Sequence, residues 1–150
     1  DTWVRQTRRS GMGDTASVHL AYGRHVLVDI ADTREDLLND AESLVRALTR
    51  AVLAEGATVL GTIEHAFDPA GVTVLLLLAE SHVSLHTYPR EGRAFFDAFT
   101  CGVRCEPLNI FQRFADETAL GSYRIIRCER GEATRRAYGP PDPGKTLTRT

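Results

Sequence analysis

Glu80-Ser81-His82 follows the most apolar stretch of the chain, Val72 to Leu78, and His86 comes five residues after Ser81. A buried strand usually hands over to Gly, Pro or Asn at a turn. This one hands over to a carboxylate, a hydroxyl and two imidazoles. A Ser-His-Asp hydrolase would use Ser81, His86 and a carboxylate such as Asp97. The Gly-x-Ser-x-Gly elbow is missing, however, because Ser81 is flanked by Glu80 and His82. A metal centre would draw on His82 and His86, or on Cys101 and Cys105, each pair four residues apart. On a strand four residues span roughly 13 Å, too far for two imidazoles to share one ion, and no metal is expected. In a purely structural reading, Ser81 and the histidines only end a strand and Cys101 is a small buried residue.

Self-processing is the remaining chemistry. Ser81 attacks the carbonyl of Glu80 and turns the peptide bond into an ester. Loss of the serine α-proton then eliminates the ester and cuts the chain. The serine is left as a ketone-bearing pyruvoyl group at a new N-terminus. Such a step needs a tightly held serine, a base for the α-proton and donors for the oxyanion. His86 is the candidate base.

The elements that must position these groups follow from periodicity. His25 to Ile30 reads as a first strand, after a polar and basic arm over residues 1–21. Ala31 to Asp36 is a polar connection. Ala41, Leu44, Val45, Leu48, Ala51 and Val52 recur at helical spacing, and Gly56 ends that helix. Strands are expected at Thr58 to Ile63, Val72 to Leu78, His82 to Tyr88, Ala94 to Thr100 and Ser122 to Cys128. A second helix is expected from Leu108 to Thr118, and Asp68-Pro69-Ala70-Gly71 is a turn. Residues 132–150, rich in Pro and Gly, read as a disordered tail. Grouped strands with two helices indicate an α+β fold, with both helices on one face of the sheet. The other face then needs cover, most simply a second copy of the chain.

Composition narrows the class. The chain has 150 residues and a formal charge of −2, which offers no global attraction to nucleic acid or an anionic membrane. No apolar run approaches the length of a membrane span. Three cysteines are an odd count and no disulfide framework. A cytoplasmic enzyme or binding domain is expected, with a small molecule as its partner.

Glu80-Ser81-His82-Val83-Ser84-Leu85-His86-Thr87-Tyr88-Pro89, followed by Phe99-Thr100-Cys101-Gly102, resembles the short prokaryotic S-adenosylmethionine decarboxylase proenzymes. Gly23-Arg24-His25, Gly56-Ala57-Thr58 and the Phe67-x-Pro69-x-Gly71-Val72 turn match in the same order. The resemblance covers residues 22–131. It implies a two-layer α/β sandwich with a mainly antiparallel sheet, dimerising through the sheet side, with active sites at the interface. It implies cleavage between Glu80 and Ser81, a pyruvoyl group from Ser81, and a homodimer of cleaved protomers with no dissociable cofactor. His86 would serve processing, and Thr73, standing where the family usually has Ser, would assist it. Cys101 would return a proton to the substrate after decarboxylation of its Schiff base. The product would feed spermidine synthesis as an aminopropyl donor. Phe67, Tyr88, Arg90 and Glu91 fall in the substrate-binding stretches, with Phe67 either stacking on adenine or packing in the core. The family usually reads Trp-Pro-Glu where this chain reads Tyr88-Pro89-Arg90. Arg90 offers only donors to ribose hydroxyls, and Glu91 is the neighbouring acceptor. Relatives that decarboxylate ornithine or arginine, and a processing-dead regulatory homologue, are the alternatives.

Overall fold

A computed structural model describes residues 21–102, 104–131 and 146–149. The basic arm expected over residues 1–21 falls almost wholly outside them, as does most of the expected tail. The elements run β1 (Tyr22–Ala31), α1 (Glu35–Leu38), α2 (Ala41–Ala54), β2 (Val59–Ala66), β3 (Val72–Leu78), β4 (Ser81–Tyr88), a 3-10 turn (Pro89–Glu91), β5 (Arg93–Cys101), α3 (Pro107–Thr118), β6 (Ser122–Gly131) and β7 (Thr146–Arg149). The seven strands form one sheet in the order β2-β3-β4-β5-β1-β6-β7, and every neighbouring pair is antiparallel.

Both long helices arise where expected. Asp40 caps α2 by accepting from the Ser43 backbone N–H at 3.0 Å. Gly56, at a φ of +79°, ends it. Pro107 opens α3 behind Glu106, whose side chain accepts from the Leu108 N–H. Two expectations change. The polar connection after β1 contains a single helical turn, α1, and residues 146–149, expected in the tail, form edge strand β7 against β6.

Alternation divides the sheet cleanly. Val26, Val28 and Ile30 of β1, Val74 and Leu76 of β3, Val83 and Leu85 of β4, and Ala94, Phe96 and Ala98 of β5 point to the helices. There they meet Leu44, Leu48, Ala51, Ile110, Phe111 and Phe114. Phe96 lies at the centre, with ring centroids 5.1 Å from Phe111 and 6.2 Å from Phe114. The opposite face carries no helix among the described residues. On it Leu27, Ile63, Leu75, Leu77, Tyr88, Phe95 and Ile126 are substantially exposed.

Candidate active site

The scissile bond expected from the sequence sits at the start of β4, held from two sides. The Glu80 carbonyl accepts from the backbone N–H of Cys101 at 2.9 Å. The Glu80 carboxylate accepts from the Thr58 N–H at 3.0 Å, and the Ala79 N–H donates to the Thr58 carbonyl. Ser81 has a φ of +154°, which residues with a Cβ rarely adopt. Such a conformation costs about 1–3 kcal/mol and persists where its surroundings over-determine it. The Glu80 carbonyl is thus polarised by a fixed donor beside a strained serine, an arrangement suited to attack on that carbon.

The segment supplying that donor is locked in turn. The Thr100 hydroxyl donates to the Cys105 carbonyl at 2.8 Å. Arg24 forms an ion pair with Glu106 and reaches the Gly102 carbonyl. Gly102, at a φ of +82°, makes the left-handed step just after Cys101. Gly23 is required by close approach, since a Cβ there would meet the Phe99 ring at 2.6 Å. The Cys101 side chain is part-buried at the end of β5. Cys105 is fully buried, and burial, then the nearby Glu80, Glu55 and Glu106 charges, push its thiol up to about 11.

His86 lies farther along β4, paired with Thr73, whose Oγ1 is 3.0 Å from its Nδ1. With Leu27, Asp29, Ser84, Phe95 and Asp97 it lines a cavity of about 300 Å³ on the uncovered face. The five-residue step from Ser81 to His86 spans roughly 16 Å and reverses the face. The fold therefore joins His86 to Thr73, and Ser81 to Cys101, but does not bring the two pairs together within one protomer. Tyr88 is half exposed against Phe95, with ring centroids 5.6 Å apart, and Arg90 and Glu91 are exposed on the following 3-10 turn. Phe67 is 52% exposed on the β2–β3 hairpin, its ring 4.6 Å from His65. That excludes its alternative reading as a core residue.

A cluster centred on Asp97 went unread in the sequence. His25 and His82 both lie beside Phe99, one on each flanking strand. The Nε2–H of His25 donates to one oxygen of Asp97 at 2.7 Å, and that of His82 to the other at 2.9 Å. The Ser81 hydroxyl lies 3.4 Å from the free Nδ1 of His82. One local signal exists, a carboxylate set between Phe95 and Phe99 in an aromatic strand. His82 and His86 do not share a site, as the strand spacing requires. Instead the ligand atoms of His25, His82 and Asp97 lie within 4.8 Å of one another, a donor set that a divalent cation can also use.

The S-adenosylmethionine decarboxylase family profile matches residues 24–131. The chain belongs to the S-adenosylmethionine decarboxylase family. It is 51% identical to the S-adenosylmethionine decarboxylase proenzyme of Brevibacillus brevis over 86 residues, 57% of this chain and 65% of that one. Against the Prochlorococcus marinus proenzyme it is 46% identical over 108 residues, 72% of this chain and 86% of the relative. The match thus spans just under two thirds of the Brevibacillus protein and most of the Prochlorococcus one. The crystal structure of the Aquifex aeolicus adenosylmethionine decarboxylase superposes with a TM-score of 0.70 at 27% identity, covering 79% of this chain and 98% of that one. The S-adenosylmethionine decarboxylase fold, an antiparallel sheet backed by two main helices, is therefore the fold of this chain.

Proposed function

We propose that this chain is a self-processing, pyruvoyl-dependent decarboxylase of S-adenosylmethionine, a carboxy-lyase supplying the aminopropyl donor for spermidine synthesis in the cytoplasm. The observation that carries the reading is the scissile bond itself: a serine at a φ of +154° follows a carbonyl held by the Cys101 N–H, in a chain whose relatives are proenzymes.

Ser81 attacks the Glu80 carbon to give the ester, and the Cys101 N–H stabilises the oxyanion. His86 takes the α-proton. The Thr73 hydroxyl, 3.0 Å from its Nδ1, orients the ring for this step. Elimination separates residues 1–80, ending in the Glu80 carboxylate, from residues 81–150, which start in dehydroalanine; its imine tautomer takes up water and releases the α-nitrogen as ammonia to give the pyruvoyl ketone. The pyruvoyl group formed from Ser81 supplies an electron sink for the pair released as carbon dioxide leaves the substrate. The part-buried Cys101 thiol then returns a proton to the substrate carbon, a role supported by its position one residue beyond the strand partner of Ser81. Neither step calls on a metal.

The same reading makes the enzyme a homodimer. In one protomer Ser81 and Cys101 are separated from His86, Thr73, Phe67 and the Tyr88–Glu91 segment by most of the length of β4. Two uncovered sheet faces laid against each other bury the exposed apolar residues and let the partner's His86 approach Ser81.

Intact mass under denaturing conditions tests the reading. Wild-type protein should give two fragments, the second starting in pyruvoyl, and release labelled carbon dioxide from S-adenosylmethionine. Ser81→Ala should stay one chain and release none. A wild-type chain that remains whole on ageing would sink the proposal in favour of a processing-dead homologue. Release from ornithine or arginine alone would move the substrate to a basic amino acid.

A further inference from the structure

We propose that His82, held by Asp97, is the base that takes the hydroxyl proton of Ser81 in the first step of self-cleavage, leaving His86 to the second. The inference rests on the self-processing reading above and deepens it by dividing that chemistry between two histidines. The geometry separates their roles. Both imidazoles lie on the uncovered face, but His86 is paired with Thr73, roughly 16 Å along the strand from Ser81. His82 is the imidazole beside the serine, its Nδ1 3.4 Å from Oγ.

Three features prepare His82 for this step. Its Nε2 is engaged by Asp97 at 2.9 Å, so in the neutral ring Nδ1 is the nitrogen that faces the hydroxyl as acceptor. Asp97 is itself held by His25 on its other oxygen at 2.7 Å. Phe99, in tilted contact with both rings at 5.5 and 6.2 Å, packs beside them. His82 is the catalytic residue of the trio, and Asp97 and His25 are positioning residues. The arrangement is a serine-imidazole-carboxylate relay aimed at the protein's own backbone.

The step balances without an oxidant or reductant. The Oγ–H bond breaks and its proton moves to Nδ1 of His82. The Oγ–C bond to Glu80 forms while the carbonyl pair moves onto the oxygen held by the Cys101 N–H. The resulting five-membered ring contains both Oγ and the former amide nitrogen. When the C–N bond breaks, the imidazolium therefore has the leaving amine close by and returns the proton to it. The product is an ester between Glu80 and Ser81 with a free α-amine and neutral His82.

An ester is cut by neutral hydroxylamine and a peptide bond is not, so the two steps can be told apart in the full chain. His86→Ala should accumulate uncut protein that hydroxylamine splits between Glu80 and Ser81. His82→Gln, which keeps a donor to Asp97, should stay uncut and resist hydroxylamine, with cleavage slowed about 10²-fold or more. His82→Ala should behave alike and recover on addition of free imidazole, which a merely structural loss would not. The double variant His82→Gln/His86→Ala should resist hydroxylamine, as should Asp97→Asn. A double variant as labile as His86→Ala, or wild-type cleavage in His82→Gln, would overturn the role of His82. Ester accumulation in Asp97→Asn would remove Asp97 from the first step. Cleavage lost in a chelator and restored by zinc would assign the trio to a metal and overturn the base role. If wild-type protein never cuts and His86→Ala never becomes labile, the processing reading itself falls.

Discussion

At the scale of single residues, Cys101 does two things through different atoms. Its backbone N–H donates to the Glu80 carbonyl, and its part-buried thiol is the proton donor proposed above. Cys101→Ala keeps the N–H, so it should still cut the chain while decarboxylation falls about 10²-fold; fragment mass and carbon dioxide release measure the two separately. Cys105 is its opposite. With a thiol raised to about 11 by burial, it is protonated at pH 8 and should escape iodoacetamide until the protein unfolds. Native alkylation should therefore stop at Cys101 and Cys128, with the third adduct appearing only in denaturant. Arg90 is exposed on the 3-10 turn, so its charge can be reversed without touching the core. Arg90→Glu should lower KM for S-adenosylmethionine about tenfold, by replacing donors with an acceptor for ribose hydroxyls. An unchanged KM would show that Glu91 already fills that role. The motif was legible in the sequence at this scale because its residues are neighbours in the chain. The His25–Asp97–His82 cluster was not, because its members come from three strands.

At the scale of elements, helix α2 was legible from its amphipathic period and its terminal Gly, while its Asp40 cap came only with the structure. Strand β2 was read too short, at Thr58 to Ile63. It continues to Ala66 because pairing with β3, not its own mostly exposed side chains, sustains it. Strand β5 is the junction of the molecule, bonded on one side to β4 and on the other to β1. Its inward residue Phe96 packs against α3, and its outward residue Asp97 orients the histidines. Phe96→Ala should thus cost about 3–5 kcal/mol in urea unfolding, and processing should slow with it as Asp97 loses its fixed register. A loss below about 1 kcal/mol would mean that the core collapses around the gap.

At the scale of the whole molecule, the helices cover one face of the sheet, and among the described residues no helix covers the other, where several large apolar side chains are exposed. Leu27 and Leu75 are 37% and 41% exposed there, so charging them does not open the core. The double variant Leu27→Asp/Leu75→Asp should sediment as a folded monomer and lose turnover by about 10²-fold or more. A monomeric variant that stays fully active would place the complete site within one protomer. The uncovered face was expected from the sequence, because grouped strands with two helices put both helices on one side of the sheet.

The sequence by itself determined the chemistry that this chain is equipped for and the elements that bear it. Nucleophile, imidazoles and thiol occur in local runs, and helix and strand periods are properties of short windows. Only the tertiary structure decided which of those groups meet. It set β1 between β5 and β6, brought Asp97 to two histidines, laid the Cys101 N–H on the Glu80 carbonyl, and parted Ser81 from His86. The physical reason is that strand register and neighbour order depend on contacts between residues far apart in the chain, while a side chain's face follows from a register shift of a single residue.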